Sequence, residues 1–463
     1  MTRDDPTRFP NGFLWGVSTS GYQVEGAPSA DGKGASIWDV FAHRPGSTLH
    51  GAHGDIACNQ YDRRQLAADL DLARDLGLSA FIFSVQWPRI QPSGRGDVDE
   101  RGLDYYRFLV DGLRERGIEP VLTLYHWELP QALQDGGGWL ARDTVDRFAD
   151  YAAALHRKLA DRVTLWITQN EPYHSAWLGH GDGKHAPGLA QGPAGALSAA
   201  HHLLLSHGRA TAAMRAGALG ATTRIGLNLN LSPIRPADPG SPADRAAARR
   251  LDGEQCRFFL DAVFHGRYPA DVRRAHAAQT DDFAFVHDGD LPEIAAPLDF
   301  LAVNYYTSLR VARRGGRPEP QPAEGETTAM GWAIDPAGLG EVLRRVRDEY
   351  TDELPLILSE TGASFHDVVD PEGACPDPER IDFLRRHVQE ARAAIAAGVP
   401  LKGLFVWSLL DNFEWDNGYR ERFGLVHVDY PTQRRTPKAS FEWLRGVIAA
   451  NGLPDEGSVT PRP

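Results

Sequence analysis

Eight short apolar runs, each followed by a longer amphipathic one, predict an α/β fold: a single (β/α)₈ TIM barrel with long βα loops forming the active-site mouth. Two further observations support closure. Several apolar runs are rich in Val, Ile, Leu and Phe with little alternation, as in strands buried on both faces. No GxGxxG or Walker loop follows an early strand, which disfavours the alternative, an open doubly wound sheet. Strands are expected over 13–20, 81–87, 120–127, 163–170, 224–231, 300–307, 355–359 and 401–407. Between them, residues 62–76 place Leu66, Leu70 and Ala73 at helical spacing, with Gly77 as a stop. Residues 102–116 repeat the scheme before Gly117. Helices over 143–159, 194–215, 243–263, 339–350, 378–397 and 437–449 complete the set.

The chain reads as one catalytic domain over 1–463, with an ordered core over about 9–450 and a frayed tail from 451 to 463. The Pro/Gly-rich stretches 237–243 and 313–326 read as surface loops. The second follows the sixth strand on the side where barrel sites form, and so is a candidate rim of the mouth.

Net charge is −13 with no clustered basic run, so nucleic acid is not an expected partner. The three cysteines, Cys58, Cys256 and Cys375, form no CxxC pair and suit a reducing compartment. Residues 1–10 lack the apolar core of a secretory signal, and no apolar run is long enough to span a bilayer. The expected location is cytoplasmic. The histidines form no HExxH or other metal-ligand spacing, so no metal and no cofactor are assigned.

Polar residues at strand C-termini are the first candidates for chemistry in a barrel. The fourth strand ends in Asn170, Glu171 and Pro172; the seventh ends in Glu360, Thr361 and Gly362. Strands four and seven stand roughly opposite in a ring of eight, so their end groups can face each other across a ligand. Two opposed carboxylates suit glycoside hydrolysis, one protonating the leaving oxygen and the other attacking or activating water. Either glutamate taken alone reads better as a structural group, a helix cap or the partner of a loop arginine, than as a catalytic one. Spacing does not decide between these.

The wider pattern does. The segments Phe13-Leu-Trp-Gly16, Gln23-Val-Glu-Gly26, Ser36-Ile-Trp-Asp39, Leu124-Tyr-His-Trp127, Asn170-Glu-Pro172 and His185-Ala-Pro-Gly188 occur in order. Asn304-Tyr-Tyr306, the run from Trp407 to Trp415, and Thr436-Pro-Lys438 follow. Together they resemble glycoside hydrolase family 1, the β-glucosidase family, over almost the whole length. The resemblance implies a retaining exo-β-glycosidase acting on small β-glycosides, without metal or cofactor. It implies that Glu171 is the acid/base and Glu360 the nucleophile, about 5–5.5 Å apart. The charge of ionised Glu360 would then keep Glu171 protonated.

By the same resemblance Gln23 and Glu414 hold the distal hydroxyls of the sugar, and His126, Trp127 and Asn170 contact hydroxyls at the other edge. Trp407 is the stacking floor and Trp415 packs beside Glu414. Tyr306 hydrogen-bonds the nucleophile, and Trp332 walls the leaving-group side. A cis peptide is implied between Trp407 and Ser408.

Four positions depart from the family pattern. Ile82 stands where the family carries an Arg, Gln169 where an apolar residue precedes Asn-Glu-Pro, Thr361 where Asn follows the nucleophile, and Gln60 where His is common. Losing the Arg removes a positive charge that would keep Glu360 ionised. Gln60, Gln86, Gln169 and Thr361 are polar candidates to replace it. Alternatives to simple hydrolysis are a specialised transglycosidase, which differs in acceptor, and a catalytically impaired glycoside-binding barrel. A 6-phosphoglycosidase is rejected because Glu414 would repel phosphate.

Overall fold

The computed structural model describes residues 8–453. Its barrel strands are β1 (Leu14–Ser18), β2 (Ala80–Ser84), β3 (Glu119–Tyr125), β4 (Leu165–Asn170), β5 (Arg224–Asn230), β6 (Phe300–Asn304), β7 (Leu356–Thr361) and β8 (Leu401–Trp407). Each pairs in parallel with the next, and β8 closes on β1. The expected barrel is therefore formed.

The side-chain period of two explains how both strand faces are buried. In β2, Ala80 and Ile82 join a small apolar cluster with Val121, Ile167, Phe300, Ala302, Ile357 and Phe405, drawn from strands all round the ring. Phe81 and Phe83 alternate with them and join the larger core shared with the helices. The inner cluster is the barrel floor. Two glycines admit its rings: a Cβ on Gly16 would lie 2.2 Å from Phe405, and one on Gly226 would lie 2.4 Å from Phe300.

The outer ring contains α1 (Arg63–Leu76), α2 (Glu100–Glu115), α3 (Asp143–Leu159) and α4 (Gly192–Arg215). α5 (Pro242–Asp252) runs through a π turn, Gly253–Arg257, into the helix Phe258–His265. α6 (Pro336–Val346), α7 (Pro378–Ala396) and α8 (Ala439–Ala450) complete it. The local signals act as expected. The Asp62 side chain accepts from the backbone N–H groups of Arg64 and Gln65 at the start of α1, and Gly77 ends it at φ 86°.

Three expectations need correction. Several strands stop short of the expected C-terminal limit, because the chain bends into the mouth there: Trp87 opens the helix Trp87–Ile90, and Trp127 has φ 88°. The stretch 313–326 is not all loop. Leu309–Arg314 and Arg317–Pro320 form an antiparallel hairpin that adds to Ile234–Pro236. Asn451 is not frayed: it accepts from Trp15 Nε1 at 2.9 Å and donates to the Phe9 carbonyl at 2.8 Å. The rest of the expected tail, from 454, lies outside the described residues. Among the described residues, no helix is long and apolar enough to cross a membrane.

Candidate active site

A polar layer lies directly on the apolar floor. The Ser18 hydroxyl donates to the Ser359 carbonyl at 2.6 Å, and the Ser359 hydroxyl lies 2.8 Å from Asn304 Oδ1 and 3.0 Å from Asn228 Oδ1. With their oxygens held from below, both asparagines present N–H groups upward. Asn228 donates to Asn170 Oδ1 at 2.5 Å, and Asn304 donates to Glu171 Oε1 at 2.7 Å. The strand ends therefore form a lattice of amides before any ligand arrives.

Both glutamates sit on that lattice, at the C-terminal ends of the fourth and seventh strands, and line one cavity of about 280 Å³. Both are buried, at 5% exposure each. Glu171 Oε1 also accepts from Asn230 at 3.1 Å, and His174 Nδ1 lies 3.0 Å from its Oε2. Glu360 Oε2 accepts from the Tyr306 hydroxyl at 2.6 Å. Burial pushes the Glu360 carboxyl well above the ordinary range, and the charge of Glu171 adds to this. The largest opposing effects come from neutral donors, Tyr306 and Asn304. Glu360 Oε2 thus takes its hydrogen bond from a phenol rather than from a cation.

At the other end of the cavity, Gln23 Nε2 donates to the Phe413 carbonyl at 2.8 Å, to Asn412 Oδ1 at 3.0 Å and to Glu414 Oε2 at 3.4 Å. Ser20 donates to Gln23 Oε1 at 2.7 Å, which fixes the amide orientation. Burial, then Asp416, Glu421 and Glu171, push the Glu414 carboxyl up to about 8. His126 is held neutral, its pKa lowered to about 3 by burial and by His174, and its Nε2 accepts from Asn170 Nδ2 at 3.1 Å.

The aromatic wall is continuous. Trp415 lies 4.5 Å from Trp127 and 4.5 Å from Trp38 between ring centroids, and its plane is 6° from that of Tyr22. Tyr306, Trp407 and Phe423 cluster with Met330 and Trp332 on the opposite side. The Trp407–Ser408 peptide is cis. Three residues of the cavity wall hold left-handed backbone without being glycine: Trp127 at φ 88°, Glu171 at 48° and Trp415 at 49°.

Of the residues singled out from the sequence, Gln23, His126, Trp127, Glu171, Tyr306, Trp332, Glu360, Trp407, Glu414 and Trp415 all line this cavity. Asn170 lies just beneath it, bracing His126. Trp127 differs from expectation: its one polar atom, Nε1, donates to the Asn170 carbonyl at 2.9 Å, so it offers the cavity a ring face rather than a donor.

Three of the four proposed replacements for the missing Arg serve elsewhere. Gln60 donates to Asp69 at 3.2 Å, Gln86 to Glu25 at 2.6 Å and Gln169 to Ser206 at 2.8 Å. The Thr361 hydroxyl has no hydrogen-bond partner. Ile82 lies in the apolar floor.

Sequence reasoning missed the supports. Asn228 and Asn230 end β5, so the strand-end rule that selects Glu171 would also have selected them. His174 lies three residues beyond Glu171, at helical reach, but no motif marks it.

Comparison with known proteins gives the same class as the fold and the site. The family model described as Glycosyl hydrolase family 1 matches residues 5–453. The chain is 42% identical over 454 residues to "Beta-glucosidase A" of Thermotoga maritima, covering 97% of this chain and 99% of that protein. It is 46% identical over 453 residues to "Thermostable beta-glucosidase B" of Thermobispora bispora, covering 96% and 91%. The solved structure of a β-glucosidase from Thermotoga maritima in complex with castanospermine superposes with a TM-score of 0.91 at 42% identity, covering 97% of this chain and all of that one. The chain belongs to glycosyl hydrolase family 1 and is a glycoside hydrolase of the retaining type.

Proposed function

We propose that this enzyme is an exo-acting β-glucosidase in which Glu360 is the nucleophile and Glu171 the acid/base. The observation that carries the assignment is the joint placement of the two glutamates in one cavity that the Gln23–Glu414 pair also lines. A cavity near the small end of ligand pockets suits one sugar unit rather than a length of polymer.

In the first step Glu360 attacks the anomeric carbon while Glu171 gives its proton to the glycosidic oxygen, releasing the aglycone. In the second, Glu171 takes a proton from water, which attacks the same carbon and frees Glu360. Inversion at each step gives net retention. The coupled pair resists holding two negative charges, so it carries the single proton that the cycle needs. That proton must sit on Glu171 when the glycoside is bound, and the Tyr306 hydroxyl then steadies the Glu360 anion.

Asn170, fixed by Asn228 and His126, is positioned to hold the 2-hydroxyl. Trp407 provides the stacking face. The described residues act as one catalytic unit, and the three buried thiols fit a cytoplasmic enzyme.

The test uses two variants. Glu360→Ala should lose turnover by about 10⁴-fold or more, and azide should restore it as the inverted glycosyl azide. Glu171→Ala should retain turnover on aryl glycosides with good leaving groups and lose it on alkyl glycosides. Equal losses on both substrate classes would remove Glu171 from the acid role.

A further inference from the structure

Two imidazoles and a carboxylate meet outside the active site, on the long loop between β1 and α1. His43 caps the C-terminus of the helix Ile37–Ala42, and His53 and Asp55 follow on the returning chain. His43 Nδ1 lies 2.7 Å from the Asp39 carbonyl oxygen. A carbonyl oxygen can only accept, so Nδ1 carries a proton. In the neutral tautomer that this bond selects, the unprotonated nitrogen would be Nε2, which lies 3.3 Å from Asp55 Oδ2. Two acceptors do not face each other unless a cation or a proton lies between them.

The other side of the carboxylate repeats the arrangement. His53 Nδ1 lies 3.2 Å from Asp55 Oδ1. Both atoms are shielded from solvent, yet neither has a hydrogen-bond partner, so they are close without being bonded to each other. The two imidazole rings stack with centroids 4.5 Å apart and planes 22° apart. Protonating both would place two positive rings face to face. One divalent cation would satisfy all three groups.

The spacing also fits. Two atoms each about 2.0–2.1 Å from a tetrahedral ion stand roughly 3.3 Å apart. The two N···O separations, 3.2 and 3.3 Å, have that length, each to a different oxygen of Asp55, and one ligand atom from each of the three residues lies within 4.8 Å of the others. The hydrogen bond from His43 Nδ1 to a carbonyl is the support that orients a ligating imidazole. We propose that His43 Nε2, His53 Nδ1 and the Asp55 carboxylate bind one divalent transition-metal ion of the zinc type, with solvent completing its shell. Two imidazole ligands disfavour magnesium or calcium, which prefer oxygen. The sequence assigns no metal because the histidines form no HExxH or other metal-ligand spacing; nine residues separate His43 from His53 and one separates His53 from Asp55, and the fold of the loop brings the three together.

The ion's role would be mechanical. Its ligands join the end of the helix that packs Trp38 against Trp415 to the segment where Tyr419 donates to the His53 carbonyl at 2.8 Å and Gly54 N–H donates to the Tyr22 hydroxyl at 3.3 Å. It would brace the rim without touching the substrate, so it does not depend on the assignment of the glutamates.

The experiment is zinc titration of the chelator-treated enzyme by calorimetry, with thermal unfolding in parallel. Wild type, His53→Ala, Asp55→Asn and a His50→Ala control are compared. Wild type and the control should bind one equivalent of zinc, with a melting temperature that rises with zinc concentration. His53→Ala and Asp55→Asn should lose that equivalent and the shift, while keeping zinc-free glycosidase activity, which shows that they fold. Magnesium should give neither signal. Equal zinc uptake by wild type and both variants would mean an adventitious ion only and overturn the site, as would no uptake by wild type.

Discussion

Two sets of buried carboxylates in this barrel are treated in opposite ways. Behind β8, Asp367, Asp377 and Asp411 meet three cations. Lys438 lies 2.5 Å from Asp367 and 2.7 Å from Asp411, Arg380 lies 2.6 Å from Asp367 and 2.5 Å from Asp377, and Arg422 lies 2.7 Å from Asp411. In the mouth, Glu171, Glu360 and Glu414 meet amides, a phenol and an imidazole. Among the described residues, Lys184 is the one lysine or arginine lining the cavity, and it faces Asp416. Burial raises the pKa in both places, but Lys438 and Arg422 outweigh it at Asp411, whose carboxyl is lowered. At Glu360 and Glu414 nothing of comparable strength opposes burial, and both are raised. A carboxylate fixed by a cation is structural and cannot exchange protons near neutral pH; one held by neutral donors can.

The sharpest way to break this contrast is to remove a cation. Lys438→Met leaves Asp367 and Asp411 without a shared ammonium in the interior, and it should destabilise the fold by about 3–5 kcal/mol in urea unfolding. A loss below about 1 kcal/mol would mean that the arginines alone balance the cluster.

The next effect separates the two sets by pH. Glu414 is raised to about 8 from an ordinary value near ~4.3, so its contribution to stability is complete below the unfolded value and is lost as pH rises through 8. Asp411 is lowered, so its contribution is present above its unfolded pKa and is lost as pH falls through the folded one. Unfolding free energy should therefore decline between about pH 5 and 8 by an amount on the order of a few kcal/mol, and Glu414→Gln should flatten that decline. An unchanged slope in the variant would assign it to other groups. Activity should fall in the same variant, because the distal hydroxyls lose a carboxyl partner that can both donate and accept.

The smallest effect makes one set resemble the other. Ile82→Arg would bring a cation toward Glu360 and should move the acidic limb of the pH–rate profile down by about 1 unit or more. Since Ile82 belongs to the apolar floor, the variant should also lose about 1–3 kcal/mol of stability through overpacking. An unmoved limb with reduced turnover would show that the guanidinium does not reach the nucleophile.

The barrel was legible because its strands and helices follow two simple periods, and β8 begins and ends where the apolar run does. Other strand ends were misplaced for one physical reason. His126, Trp127 and Tyr306 continue the apolar or aromatic pattern of a strand after the backbone has turned into the mouth. The glutamates and the aromatic wall were legible through motifs. The hydrogen bonds of the amide lattice were not, because Asn228, Asn230 and Asn304, though they stand at strand ends, act through contacts between strands far apart in sequence. The Trp127 indole was misread for a similar reason: its donor is satisfied by a backbone carbonyl, which carries no residue-specific signal.

The left-handed backbone at Trp127, Glu171 and Trp415 bears on how this enzyme can be made to survive heat. Such a conformation costs a non-glycine residue roughly 1–3 kcal/mol, which the surrounding packing must offset. Glycine would relieve that strain but would take a buried ring or carboxylate out of the cavity wall, and losing a buried Trp costs about 3–5 kcal/mol, more than the relief. Durable variants that still work should therefore carry their changes on the outer helices and at the hairpin Leu309–Pro320, leaving these three positions as the fixed cost of having a mouth at all.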